Sequence, residues 1–430
     1  MSGQLQAGIG RRDITPAVGG NLFGYRPDVF SKSVNDGLTV TAAAFCQGAT
    51  KAMLISATLG LFNTALSDKI RALVAEKTGI PNVILSATHT HSGPNTCGIT
   101  GWGGVDDEYC DSVLVPQVIE AAKEAAANLK PVLLGVGAVQ SRVGMNRRRH
   151  NADGSINLGQ SPWGLYDPTM TVLRFTEPGG KPVINIIHYG CHCTAAGMNT
   201  EITRDWAGVM LDRLEKEAGA PAMFINGAQG DVGPRLSNGQ TVGDISYAME
   251  LGGIAALDAT LAWRNAKNVK PVNFSVASDN LKLPLKARLP YEEAKKRLAE
   301  MENSEVNIVG QVRQYYRNII ESYDKKMKEK AFFTLPQTLV AVGGVVFVPF
   351  PFEIFSEISM RLREYSPFEH TLCMSCTNGS NGYLPSQDQL CRGGYEIDFF
   401  RTGRVQPFAD NTDDNIINEN LKLLKKILVA

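Results

Sequence analysis

The chain has no surplus of charge of either sign, with 43 lysines and arginines against 43 aspartates and glutamates. Nucleic acid is therefore excluded as an expected partner, because a polyanion needs a basic surplus or a basic stripe. No stretch approaches the roughly 18 consecutive apolar residues that a membrane span requires, so none is expected. Met1 to Gly10 is small and polar with no apolar core, which reads as no secretory leader and gives a cytoplasmic location as the expectation. The eight cysteines are then expected to be reduced thiols. Cys373-Met-Ser-Cys376 has C-x-x-C spacing but no second such pair, so no metal or redox role is expected of it. The Gly-rich stretch Asn226 to Pro234 lacks a terminal Gly-Lys-Ser/Thr and is not a phosphate loop.

What is present is an ordinary enzyme composition, 43% hydrophobic with 42 glycines. Short apolar runs at 42–45, 52–56, 83–86, 132–139, 171–175, 183–187, 222–225, 339–342 and 345–348 read as strands. Helical spacing covers 66–77, 111–129, 206–218, 245–266 and 355–363. This alternation predicts an α/β fold of mixed β-sheets layered with α-helices, in a single domain over 1–430. The stretch 290–330 is dense in Lys, Glu and Arg and is expected to form two exposed helices, an insertion or a lid.

Histidine is scarce, six in all, and four of the six fall in two clusters. The strand at 83–86 runs into Ala-Thr-His89-Thr-His91. Residues i and i+2 of an extended chain face the same side, so both rings are expected to project from the strand's end. Neutral imidazole suits zinc, although one structural and one surface histidine would also satisfy the pattern. In the second cluster, His188-Tyr-Gly-Cys191-His192-Cys193, His188 and His192 are the ligand candidates, one of them packing behind the site. Glu353 follows Pro349-Phe-Pro-Phe at the end of a strand and is the candidate carboxylate; an acid favouring a helix N-terminus is the other reading. Asp205, just before a helix, is expected to cap it.

With these residues in view the sequence resembles the neutral/alkaline non-lysosomal ceramidases and their bacterial relatives. The resemblance is carried by Arg12-Asp-Ile-Thr-Pro16, Ala87-Thr-His-Thr-His-Ser-Gly-Pro94, Asn146-Arg147, Cys191-His192 and Asn226-Gly-Ala-Gln-Gly-Asp-Val-Gly-Pro234. It continues in Pro349-Phe-Pro-Phe-Glu353, Asn381-Gly-Tyr-Leu-Pro385 and Gly393-Gly-Tyr-Glu396. It implies a ceramidase-like catalytic domain whose zinc is held by His89, His192, Glu353 and Tyr383. His91 would be the general acid/base, and Arg147 and Tyr395 would bind the scissile carbonyl. Gly233 stands where the family carries a serine, which removes that hydroxyl from the substrate-binding wall and points to a zinc-bound water as nucleophile.

The chain reads as too short for the family's immunoglobulin-like C-terminal domain. The expected substrate is therefore a small, soluble linear amide rather than ceramide, with Arg147, Arg148 and Arg149 in reach of an anionic group on it. A zinc-dependent esterase or lactonase, a sugar-directed enzyme, and a non-catalytic ligand-binding relative are the alternatives. A homo-oligomer is left open.

Overall fold

Each of three sheets ends in a parallel pair of strands joined through a helix. In the computed structural model, which describes residues 3–270 and 272–429, the first sheet uses β1 (Gln6–Asp13), β2 (Thr39–Gln47), β3 (Thr50–Ala57), β4 (Asn82–Ala87) and β5 (Lys130–Pro131). Its order is β4-β3-β2-β1-β5, antiparallel except for β3/β4, which helix α1 (Thr64–Thr78) connects. Helix α2 (Val115–Ala127) packs against β1 and β2. The helix expected from 111 starts earlier, with an α-helical turn at Asp107–Tyr109 that widens into a π-helical turn over Cys110–Leu114. Pro116 lies in the first turn of α2 and brings no backbone N–H, which explains the widened turn before it.

The second sheet repeats the plan with β6 (Leu133–Gln140), β7 (Thr169–Thr176), β8 (Pro182–Tyr189), β9 (Ala222–Asn226) and the short β10 (Lys267–Asn268), in the order β9-β8-β7-β6-β10. Here β8 and β9 are the parallel pair, spanned by helix α3 (Asp205–Ala218), and α4 (Ile245–Arg264) packs on α3. The third sheet is β11 (Phe274–Pro284), β12 (Phe332–Val342), β13 (Val345–Pro349) and β14 (His370–Met374). Within it β13 and β14 run parallel.

Helices α5 (Tyr291–Glu300) and α6 (Asn307–Asp324) occupy the charge-rich stretch, followed by α7 (Ser356–Tyr365), α8 (Tyr395–Thr402) and α9 (Thr412–Val429). Helix α6 is not solvated all round, since Tyr315 and Ile319 pack with Ala294 of α5 in a small apolar cluster. One core joins the sheets: Phe45, Leu54 and Ile84 meet Leu173, Ile186 and Ile225, which meet Val340, Phe347 and Met374. Met1, Ser2, Pro271 and Ala430, parts of the expected 1–430 domain, lie outside the described residues. Among the described residues no helix is long and apolar enough to cross a membrane.

The parallel pairs matter for the site. The carboxyl ends of β4, β8 and β13 lead into His89, His192 and Glu353 respectively, and ligand crevices form at such strand ends.

Candidate metal centre

Strand β4 stops at Ala87, and the next backbone amides turn to the neighbouring loop: Thr88 N–H donates to Ala57 O at 3.0 Å and His89 N–H to Leu59 O at 2.8 Å. His89 itself has φ of 71°, in the left-handed region. The two histidines therefore meet through a bend and not through an extended face, with Nε2 of His91 3.2 Å from Nε2 of His89. A non-glycine residue held at such a φ stores strain, and strain of this kind clusters at functional sites.

His192 follows β8, its backbone N–H bonded to Val232 O at 3.1 Å in the Gly-rich loop. The same loop receives its ring, since Nδ1 lies 3.0 Å from Gln229 O and 3.1 Å from Val232 O. Glu353 lies in neither a long strand nor a helix first turn. It opens a two-residue strand, Glu353–Ile354, paired in parallel with Tyr383–Leu384. Its backbone N–H donates to Gly382 O at 3.0 Å.

These elements bring His89, His192 and Glu353 together, all buried, with one ligand atom from each lying within 4.8 Å of the others. Glu353 Oε2 is 3.0 Å from His192 Nε2 and 3.4 Å from His89 Nε2. On both histidines Nδ1 faces a backbone carbonyl, Gly60 O at 3.0 Å for His89. A carbonyl only accepts, so Nδ1 carries a proton and Nε2 is left facing the cluster, a lone pair whenever the ring is neutral. Burial, with the Arg147 charge adding to it, pushes His192 down to about 3, keeping it neutral. Three lone pairs thus converge in a buried space, and among the described residues neither His192 Nε2 nor Glu353 Oε2 has a hydrogen-bond partner. Such a set is satisfied by a cation, so these residues fit a metal ion.

The other expected residues surround this cluster. Tyr383 and Tyr395 line a small cavity with His89, His91 and Glu353. A second cavity of about 310 Å³ adjoins it and is lined by His91, Arg147, Gly233, Tyr383 and Tyr395. Arg147 donates from Nη2 to Tyr383 Oη at 2.9 Å and from Nε to Glu396 at 2.9 Å. A Cβ at Gly233 would come within 2.9 Å of Thr241 Cβ, so Thr241 fills the room a serine there would take.

Three further residues of interest stand around the site. Arg148 does not face the cavity as a free cation; it is buried, pairs with Glu396 at 2.7 Å and donates to Gly393 O at 2.7 Å. His188 stands away from the cluster, with Nε2 2.8 Å from Cys373 O. Asp205 begins α3 at a φ of 58°, which turns its carboxylate back to accept from Ala195 N–H at 3.1 Å and Ala196 N–H at 2.8 Å. It clasps the loop after His192 and also accepts Trp206 N–H, in the first turn of α3, at 2.7 Å.

The profile of the family described as neutral/alkaline non-lysosomal ceramidase, N-terminal, matches residues 5–247, more than half of the chain. The chain belongs to the neutral/alkaline non-lysosomal ceramidase family. Neutral ceramidase A of Dictyostelium discoideum is 30% identical over 179 residues, 36% of this chain and 24% of that protein. Neutral ceramidase B of the same organism is 28% identical over 174 residues, with the same coverage of 36% and 24%. The match thus spans about a quarter of the length of these curated relatives. The crystal structure of neutral ceramidase from Pseudomonas aeruginosa superposes with a TM-score of 0.73 at 18% identity, covering 99% of this chain and 75% of that one. A ceramidase complexed with C2 gives the same TM-score of 0.73 at 17% identity. At these identities the likeness speaks for the fold, the α/β arrangement of mixed sheets and helices read from the sequence.

Within this ceramidase-family site, several supporting residues carried no signal in isolation. Gln229 donates to Cys376 Sγ at 3.0 Å, and that thiol lies 3.6 Å from His89 Nδ1. Asp231 accepts from Ser356 N–H and Oγ–H, both at 2.8 Å. Each contact joins residues far apart in sequence, which no local pattern records.

Proposed function

We propose that the chain is a zinc-dependent amidohydrolase that cleaves the linear N-acyl amide of a small, soluble substrate. The observation that carries this reading is the meeting of three bare lone pairs, from His89, His192 and Glu353, beside a cavity of about 310 Å³. Two imidazoles and a carboxylate are a zinc donor set, and Tyr383, which lines the same small cavity, would add a fourth contact. Bound there, zinc supplies a Lewis acid and acidifies water toward neutral pH.

The chain's own residues do the rest. His91 is the general acid/base: its Nε2 lies 3.2 Å from His89 Nε2, beside the cluster, and burial keeps its ring neutral. Arg147 and Tyr395 hold the carbonyl oxygen as negative charge develops on it, each donor contributing about 2.7–4 kcal/mol. Glu396 fixes the Arg147 guanidinium by its Nε, so that its other edge faces the cavity wall at Tyr383. Gly233 leaves the wall without a hydroxyl, so no side chain at that position competes as nucleophile.

The cavity lies near the lower end of the usual ligand range of roughly 300–1,000 Å³, and Tyr25, Leu158 and Val242 give it apolar walls. Both features favour a short acyl group. The relatives are named ceramidases, and ceramide is itself an N-acyl amide. A cytoplasmic location belongs to the same proposal and is supported by the eight unpaired cysteines.

The test is metal analysis of the purified protein, followed by a panel of matched N-acyl amides and O-acyl esters before and after chelation. Stoichiometric zinc, chelation-sensitive hydrolysis and a preference for amides are expected. Full activity in metal-free protein or in His89→Ala would overturn the reading.

A further inference from the structure

A separate cavity of about 400 Å³ has no residue of the metal centre in its lining. Its charged lining residues are Arg288, Lys328, Lys330 and Arg404, and among the described residues no aspartate or glutamate joins them. In a chain with 43 basic and 43 acidic residues this is a local concentration of one sign.

The two arginines there lie against aromatic rings, whereas several others are held by close carboxylates. Arg147 and Arg148 share Glu396, and Arg363 meets Asp167. Among the described residues Arg404 pairs with no carboxylate, and its one side-chain hydrogen bond runs from Nη1 to Asn381 Oδ1 at 3.4 Å. Its guanidinium lies against the rings of Phe333 and Phe408, 4.2 and 4.4 Å from their centroids. Stacking satisfies the faces of the cation and leaves its edge donors free. Arg288 is built alike, 4.0 Å from the Tyr323 centroid, with Nη1 donating to Ser322 Oγ at 2.8 Å and Nε buried without a hydrogen-bond partner. Glu329 approaches that Nε to 3.5 Å and accepts the Arg288 backbone N–H at 3.0 Å, so it offsets one of the four cations. Burial lowers Arg404 to about 10, which leaves it charged at neutral pH.

We propose that this cavity binds a dianionic phosphate group, that of a phosphate monoester, on the free edges of Arg404 and Arg288 with Lys328 and Lys330 adding charge. Guanidinium forks match phosphate oxygens two at a time, and ammonium groups act as point charges beside them. Exposed Met327 and Phe332 also line the cavity and leave room for the ester's organic part. A soluble ester and an acidic phospholipid headgroup offer the same chemistry. The site is independent of the hydrolase reading.

Calorimetric titration of the full chain with glycerol phosphate at fixed ionic strength tests the site directly. Saturable one-to-one binding is expected, weakened about tenfold or more by Arg404→Gln and by Arg288→Gln and less by Arg404→Lys. If Arg404→Gln fails to fold, the paired change Lys328→Gln with Lys330→Gln, on exposed side chains, carries the same expectation. Phosphate held at the metal centre instead would be indifferent to all of these changes, and that outcome overturns the proposal. So does chloride competing as well as phosphate. Co-sedimentation with phosphatidylcholine vesicles, with and without phosphatidic acid, separates the two sources. Arg404-dependent binding to the acidic vesicles alone places the phosphate on a lipid, whereas no binding in either assay sinks the site.

Discussion

Glu353 and Tyr383 are register partners in a two-residue parallel pairing, so the carboxylate and the phenol enter the site side by side from segments 30 residues apart in sequence. The Glu353 N–H bond to Gly382 O locks this register. Because the side-chain period of a strand is two, a slip of one residue would turn one of the two groups to the opposite face from the other. The pairing therefore sets where a metal can sit as much as the ligands do.

The first prediction concerns that metal. A ligand that binds only the folded state stabilises it by about 2.7 kcal/mol at a hundredfold excess over its dissociation constant. Zinc added to metal-stripped protein is expected to raise the melting temperature of the unaltered chain. In Glu353→Gln and His192→Ala the rise should vanish, because each leaves only two of the three converging donors. An equal rise in all three proteins would show that zinc binds elsewhere.

Glu396 gives the second. It is buried and faces two guanidinium groups, Arg147 at 2.9 Å and Arg148 at 2.7 Å. Glu396→Gln leaves both buried cations without their counter-charge, a change that costs about 3–5 kcal/mol. Urea unfolding should report that loss, with hydrolysis falling as Arg147 loses its orientation. Unchanged stability would mean that water or another group reaches these arginines.

That pair also shows where sequence reading stops. His89, His192 and Glu353 stood out because histidine is rare here and all three follow apolar strands, a local pattern. The mixed α/β architecture was legible for the same reason, since apolar runs and helical spacing are local. Arg148 looked like a free cation beside turn residues because its partner lies 248 positions away. β1 escaped notice because Gln-Ala-Gly-Ile-Gly-Arg-Arg-Asp shows no run or alternation, and only its eight-residue ladder with β2 makes it a strand. The meeting of His89 and His91 was expected for a reason the backbone does not use. The left-handed turn at His89, and no shared strand face, brings them together.

The third prediction follows from Asp231. Burial, opposed by hydrogen bonds from Ser356, lifts its pKa from 3.8 to about 6. A carboxyl whose folded pKa exceeds its unfolded value stabilises the fold while protonated. That contribution is whole below about pH 4 and is lost as pH rises through about 6. Asp231→Asn cannot ionise, so its stability deficit should be largest near pH 4 and narrow by about 3 kcal/mol toward neutrality. Urea melts across this range check the sign; a deficit that grows with pH contradicts it.

The last prediction tests His91 without touching it. Gly24 lines both site cavities at a φ of 109°, and a Cβ there would lie 2.3 Å from His91 Nδ1 and 2.5 Å from Cγ. Gly24→Ala must therefore push the imidazole aside, on top of about 1–3 kcal/mol of backbone strain. General acid/base catalysis contributes about 10²–10⁴-fold, so hydrolysis should fall toward that of His91→Ala. Zinc content should hold in both variants, since His89, His192 and Glu353 keep their places. The double variant should lose little more than either single one, because each removes the same proton carrier. If Gly24→Ala keeps full activity, or if the two losses multiply, His91 is not the group that moves the proton.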